Sequence, residues 1–120
     1  MVIDDSKAIR MILTRTLSKL GYEVCTAENG KDALALLDQQ TPQLALFLVD
    51  WNMPEMNGLE FVQRVRCMPS YAAVPLMMVT TETEVDQMIK ALEAGANEYV
   101  MKPFTDEIIA GKLRLMGALE

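Results

Sequence analysis

The stretch Leu46–Gly58 reads LFLVDWNMPEMNG. Four apolar residues run straight into Asp50, and Pro54 and Gly58 follow within eight positions. A short unbroken apolar run has the pattern of a strand buried on both faces, as in a parallel sheet. Proline and glycine after it mark a loop. This strand therefore carries a carboxylate to its own carboxyl end, where burial makes a lone charge costly. The chain opens the same way: Met1–Ser6 reads MVIDDS, an apolar run ending on two aspartates.

Working outward, runs of strand length recur at Met1–Ile3, Val24–Ala27, Leu44–Val49, Val74–Val79 and Tyr99–Met101. Helical patterns fill the gaps. Ser6 is a cap for a first helix with the apolar stripe Ile9, Ile12, Leu13, Leu17 and Leu20, closed by Gly21. Ala33, Leu34 and Leu37 mark a second helix that stops before Pro42. Leu59, Val62 and Val65 mark a third, before Pro69. Val85, Met88, Ile89 and Leu92 mark a fourth, ended by Gly95, and Ile109, Leu113 and Met116 a fifth. Strand–helix alternation repeated in this way predicts one α/β domain over residues 1–120, a doubly wound parallel sheet of five strands with helices on both faces.

In such sheets ligands bind beyond the carboxyl ends of the strands, near a switch in strand order. Asp4 and Asp5 end the first strand, Asp50 the third, Thr80 the fourth and Lys102 the fifth. Taken singly, each has a plain reading. A strand-end aspartate forms turns or caps helices, Thr80 is placed to cap the fourth helix, and a lysine is usually solvated. Together they bring three carboxylates to one edge if the first and third strands are neighbours. Three like charges repel, and a hard divalent cation relieves them. Oxygen donors with no histidine among them point to magnesium or a similar ion. Carboxylates, such a cation, a lysine and a hydroxyl make a site for a phosphoryl group.

Composition sets limits around this reading. Of the 120 residues 51% are apolar, enough for a core without disulfides or structural metal. The net charge of −6 argues against a nucleic-acid surface. No apolar stretch is long enough to span a bilayer and no basic-then-apolar leader opens the chain, so the expected location is cytoplasmic. The absence of histidine removes Ser-His catalysis and His-based metal sites. Cys25 and Cys67 match no metal spacing and are expected as free thiols packed like small hydrophobes. The ten methionines are expected mainly as core filler.

The motifs DDS at Asp4–Ser6, DWNMPEMNG at Asp50–Gly58, VTTE at Val79–Glu82 and YVMKPF at Tyr99–Phe104 resemble those of CheY-like receiver domains of two-component response regulators. The resemblance covers the whole chain. It implies strand order 2-1-3-4-5 and a phosphorylation-activated switch in a two-component, chemotaxis-like phosphorelay, not an enzyme acting on a separate substrate. Asp50 would accept the phosphoryl group from a phosphohistidine on a sensor histidine kinase or a histidine phosphotransfer protein. Magnesium, or manganese in its place, would be held by Asp5, Asp50 and the backbone carbonyl of Asn52, with Asp4 reached mainly through water. Lys102 would pair with Asp50 at rest and Thr80 would bind a phosphoryl oxygen. Tyr99 would turn inward when Thr80 moves. The resemblance also implies a cis Lys102–Pro103 bond, and a Gly58 backbone angle that other residues resist. The downstream protein would contact the fourth helix, fifth strand and fifth helix, where Ile108 and Leu115 fall off the core stripe. Asn52 and Glu82 would flank the water that hydrolyses the phosphoryl group, setting a short lifetime.

Only three residues precede Asp4, fewer than receivers usually have, so the expected weakness is in stability, since few ladder bonds then hold the first strand. Two other classes share parts of this pattern. A magnesium-dependent phosphatase or phosphotransferase with an aspartyl-phosphate intermediate commonly has a second aspartate shortly after the nucleophile, and position 52 is Asn. A flavodoxin-like carrier needs a Ser/Thr/Gly-rich phosphate loop after the first strand, and DDSKAIR is not one.

Overall fold

The computed structural model describes residues 1–81 and 85–119. The elements alternate as β1 (Val2–Ile3), α1 (Lys7–Lys19), β2 (Thr26–Ala27), α2 (Gly30–Gln40), β3 (Phe47–Val49), α3 (Gly58–Arg66), β4 (Leu76–Thr80), α4 (Val85–Ala94), β5 (Glu98–Met101) and α5 (Asp106–Leu115), with a short 3-10 turn at Pro69–Tyr71. All pairings are parallel, and the sheet order is β2-β1-β3-β4-β5. β1 thus lies beside β3, and the chain reverses direction across the sheet between them. That places the switch in strand order where Asp4, Asp5 and Asp50 emerge.

The strands are shorter than the apolar runs. β2 has β1 as its neighbour, so its ladder is as long as β1: Val2 faces Thr26 and Ile3 faces Ala27. Leu46 is buried but lies outside β3. Alternate side chains divide the core into two layers. Val2, Leu48, Met77, Val79 and Val100 pack with Leu13 and Leu17 of α1 and Ile109 and Leu113 of α5. Ile3, Phe47, Val49, Leu76 and Met78 pack with Leu37 of α2, Phe61, Val62 and Val65 of α3 and Ala91 of α4.

Local chemistry sets the helix ends. The Ser6 hydroxyl oxygen accepts the Ile9 N–H at 3.3 Å. The carbonyl oxygens of the Asn29 and Asn57 side chains accept from Asp32 and Glu60, and Thr105 accepts from Ile108. Gly21 and Gly95, at φ +97° and +125°, turn the chain out of α1 and α4 in the left-handed region that glycine enters without penalty. The Arg66 guanidinium ties α3 to the far end of α4. It donates to the carbonyls of Tyr71 (2.9 Å), Val74 (2.6 Å) and Gly95 (2.8 and 3.1 Å) and to Asn97 Oδ1 (3.1 Å). Asn97 in turn accepts the Leu76 N–H.

Two expectations need correction, for Ile12 and for the cysteines, and the α4 stripe takes its orientation here. Ile12 does not face the core. It is exposed, and the inward row of α1 is Leu13, Thr16 and Leu17. Thr16 is accommodated because its hydroxyl bonds the Ile12 carbonyl and Asp106 Oδ1. Most of the apolar stripe of α4 also faces outward: Val85, Ile89 and Leu92 are exposed, while Ala91 meets the sheet. Cys25 and Cys67 are free thiols, but both are exposed rather than packed.

Candidate functional site

At the carboxyl edge of the sheet, Asp4, Asp5 and Asp50 each present a carboxylate oxygen, all within 4.8 Å of one another. Asp50 is placed by β3 and by its own N–H, which donates to the Ile3 carbonyl at 2.9 Å. Its side chain is nearly closed off, with the residue 5% exposed. Asp4 is fixed at every polar atom. Its N–H donates to the Ala27 carbonyl at 3.2 Å and its carbonyl accepts from Arg10 at 2.7 Å. Its Oδ1 accepts the Ser6 N–H at 2.9 Å and its Oδ2 accepts from Lys102 at 2.7 Å. Asp5, one residue on, is exposed.

Lys102 reaches in from the end of β5, aligned by its N–H on the Thr80 carbonyl at 2.9 Å. Its Nζ lies 2.7 Å from Asp4 and 3.7 Å from Asp50. The expected resting partner was Asp50. The shorter contact goes to Asp4, the more deeply buried of the two carboxylates, where an unpaired charge would be costlier. The Lys102–Pro103 peptide is cis. Thr80 is fully buried, and its side chain lies near enough to Asp50 to favour the ionised carboxylate.

Burial pushes the Asp50 carboxyl above the usual aspartate range, and the neighbouring Asp4 charge adds to this. Lys102 and the Thr80 side chain oppose it without cancelling it. Three carboxylates facing one ammonium also leave this cluster with net negative charge. Three hard oxygen donors, close together and short of counter-charge, are a chemical fit for a divalent cation.

The loop after β3 is shaped differently from expectation. Gly58 is not at a positive φ; that conformation belongs to Glu55, at φ +68°. Gly58 is needed for close approach, because a Cβ there would lie 2.5 Å from the Asp50 carbonyl oxygen and 2.9 Å from Trp51 Cα. Trp51 is buried behind the site, and Asn52 is exposed at the start of the loop. Tyr99 is partly buried against the layer that holds Met78, its register partner. Glu82 lies outside the described residues. Sequence reasoning missed Arg10, which sits on α1 five residues after Asp5 and touches the site through a backbone atom. No motif announces such a contact.

The response regulator receiver domain family model matches residues 1–114. The chain is 44% identical over 117 residues to the chemotaxis protein CheY1 of Helicobacter pylori, covering 97% of this chain and 94% of that protein. It is 45% identical over 114 residues to a chemotaxis protein CheY homolog of Campylobacter jejuni, covering 94% and 87%. The structure of Vibrio cholerae chemotaxis protein CheY4 superposes with a TM-score of 0.88 at 37% identity, over 96% of this chain and 94% of that one.

Proposed function

Because the chain belongs to the response regulator receiver domain family, we propose that it is a phosphorylation-activated switch of a chemotaxis-type two-component relay, with Asp50 as the phosphoacceptor. The observation that carries this reading is the setting of Asp50: a buried strand-end carboxylate flanked by Asp4, Lys102 and the Thr80 hydroxyl. In the transfer, an Asp50 oxygen attacks phosphorus of a phosphohistidine on a histidine kinase or phosphotransfer protein. The phosphorus–nitrogen bond breaks, and the imidazole leaves with its electron pair. Charge spreads over the three equatorial oxygens. Lys102 and Thr80 supply a cation and a hydroxyl to two of them. Asp5, Asp50 and the Asn52 carbonyl would hold magnesium or manganese, with Asp4 one water away, and the ion would neutralise charge at the third.

The new dianion biases a two-state element, as phosphorylation switches do. Thr80 leaving Asp50 for the phosphoryl group changes the packing beside Tyr99, and the readout is the face built by α4, β5 and α5. Support for that face comes from its exposed apolar side chains: Val85, Ile89 and Leu92 on α4, Met101 on β5, and Ile108 and Leu115 on α5, Leu115 at 77%. Among the described residues, no helix is long and apolar enough to cross a membrane, and the output is protein–protein contact.

The test is an intact mass after incubation with a small phosphodonor. With magnesium the protein gains one phosphoryl group; with a chelator it gains none. No gain in either condition, or equal gain in both, refutes the reading.

The phosphoryl state is expected to be short-lived. Asn52 is polar and exposed beside Asp50, so it leaves room for an in-line water and can orient it. With the donor removed and magnesium present, phosphate loss should run to completion within minutes. Replacing Asn52 and Glu82 together with leucine should lengthen the lifetime by at least about tenfold. An unchanged lifetime in the double variant would remove these two residues from the hydrolytic step.

A further inference from the structure

We propose that Arg10 is a positioning residue for the metal-facing carboxylate Asp5, acting by clamping the backbone of the Asp4–Ser6 turn. This rests on the metal-dependent reading of the acidic cluster given above. The Arg10 guanidinium donates to the Asp4 carbonyl at 2.7 Å, the peptide unit that leads directly into Asp5. Its other terminal nitrogen lies 3.9 Å from Glu28 Oε1, an exposed side chain and so a weak partner. The Arg10 side chain itself is 14% exposed. A largely covered cation with one short bond to a backbone oxygen is spending its charge on that oxygen, and a charge-assisted hydrogen bond is among the stronger kinds.

Asp5 needs such a clamp more than its neighbours do. Asp4 is held by four contacts and Asp50 by β3, Lys102 and Thr80. The Asp5 carboxylate has no hydrogen-bond partner among the described residues, and its side chain stands in solvent. Its position is inherited from the turn. The amino-terminal side of that turn is anchored by β1, and its far side by the Ser6 cap of α1. Between them, Arg10 takes the Asp4 carbonyl from one turn up the same helix. Arg10 therefore closes a ring: strand end, acidic turn, helix start, guanidinium and back to the strand end.

The sign of the effect separates positioning from simple electrostatics. Removing a cation near a divalent-metal site should tighten metal binding if charge alone matters. Loss of a clamp should weaken it, because the ligand must then be ordered when the ion binds. The experiment uses the full chain with Arg10→Met, Arg10→Lys and Glu28→Gln. Magnesium is titrated while Trp51 fluorescence is followed, and Ser6 amide exchange is measured without metal. Arg10→Met should weaken apparent magnesium affinity about tenfold and speed Ser6 exchange about tenfold, leaving Met77 exchange unchanged. Arg10→Lys should fall between, and Glu28→Gln should stay within about twofold of the parent. At saturating magnesium the phosphorylation rate of Arg10→Met should return to near the parent value. Equal or tighter magnesium binding in Arg10→Met, or unaltered Ser6 exchange, overturns the proposal. Absence of any magnesium response in the parent defeats the metal reading itself, while the metal-free exchange data still decide whether Arg10 holds the turn.

Discussion

Asp50→Asn should lose phosphorylation and gain stability at once. The amide is a far poorer nucleophile toward phosphorus, so labelling by a small phosphodonor should drop by at least about a thousandfold, the scale on which removed nucleophiles act. The stability gain follows from the raised Asp50 pKa, caused first by burial and then by the Asp4 charge. In the unfolded chain this carboxyl loses its proton near the ordinary aspartate value of 3.8; in the folded protein it holds it to higher pH. Ionisation is thus easier unfolded than folded, and each step in pH across that window costs the native state. Parent and variant should be nearly equal in stability below the window. As pH rises through 3.8 and then through the folded pKa, the variant pulls ahead, and above it the gap is constant. Urea midpoints measured between pH 3 and pH 8 read this directly. A variant less stable than the parent at neutral pH would mean that Lys102 and Thr80 outweigh desolvation. Labelling at the parent rate would move the phosphoacceptor elsewhere.

Gly58→Ala should be the most damaging single-methyl change in the molecule. The added Cβ would lie 2.5 Å from the Asp50 carbonyl oxygen, 2.7 Å from Met78 Cε and 2.9 Å from Trp51 Cα. The methionine methyl can swing away, but the other two atoms are backbone. Relief requires parting α3 from the end of β3, which strains the Gly58 N–H bond to the Trp51 carbonyl, 2.8 Å long here. Overpacking of this kind costs about 3 kcal/mol, or roughly 10 °C in Tm for a domain of this size. Since the backbone that moves is that of Asp50, phosphorylation should slow as well. Gly111→Ala is the matched control. Its Cβ meets nothing within 4 Å, and the change should raise stability by up to about 1 kcal/mol through helix propensity. A Gly58→Ala protein that melts with the parent would show that α3 can shift freely.

These two glycines also mark where the sequence was and was not informative. The alternation of elements and the gathering of Asp4, Asp5, Asp50, Thr80 and Lys102 could be read from residue order, because a parallel sheet turns "last residue of a strand" into a position in space. What residue order does not encode is which contact wins among neighbours. Gly58 was read as a conformational glycine and is a steric one. Lys102 was assigned to Asp50 and lies closer to Asp4, since the difference depends on about an ångström of side-chain reach. Periodicity found α4 but not which way its row of Val85, Ile89 and Leu92 faces, because an apolar row left exposed has the same spacing as one packed on the core. Arg10 escaped notice because it recognises a main-chain oxygen, and main-chain oxygens have no letter in the sequence.

The Arg66 tie has a mechanical consequence. Its two bonds to the Gly95 carbonyl pin the end of α4 that lies away from Asp50. The near end, at Val85, carries no such rivet among the described residues. Were α4 to tilt about that end, its travel would grow with distance from it. At 1.5 Å per residue, the ten residues of α4 make an arm about 15 Å long. A tilt of about 10° would then carry Val85 some 2–3 Å, Ile89 a little over half as far and Leu92 about a third as far. Such a tilt would be largest at the end nearest the chemistry, and the exposed apolar residues Val85, Ile89 and Leu92 would travel by graded amounts.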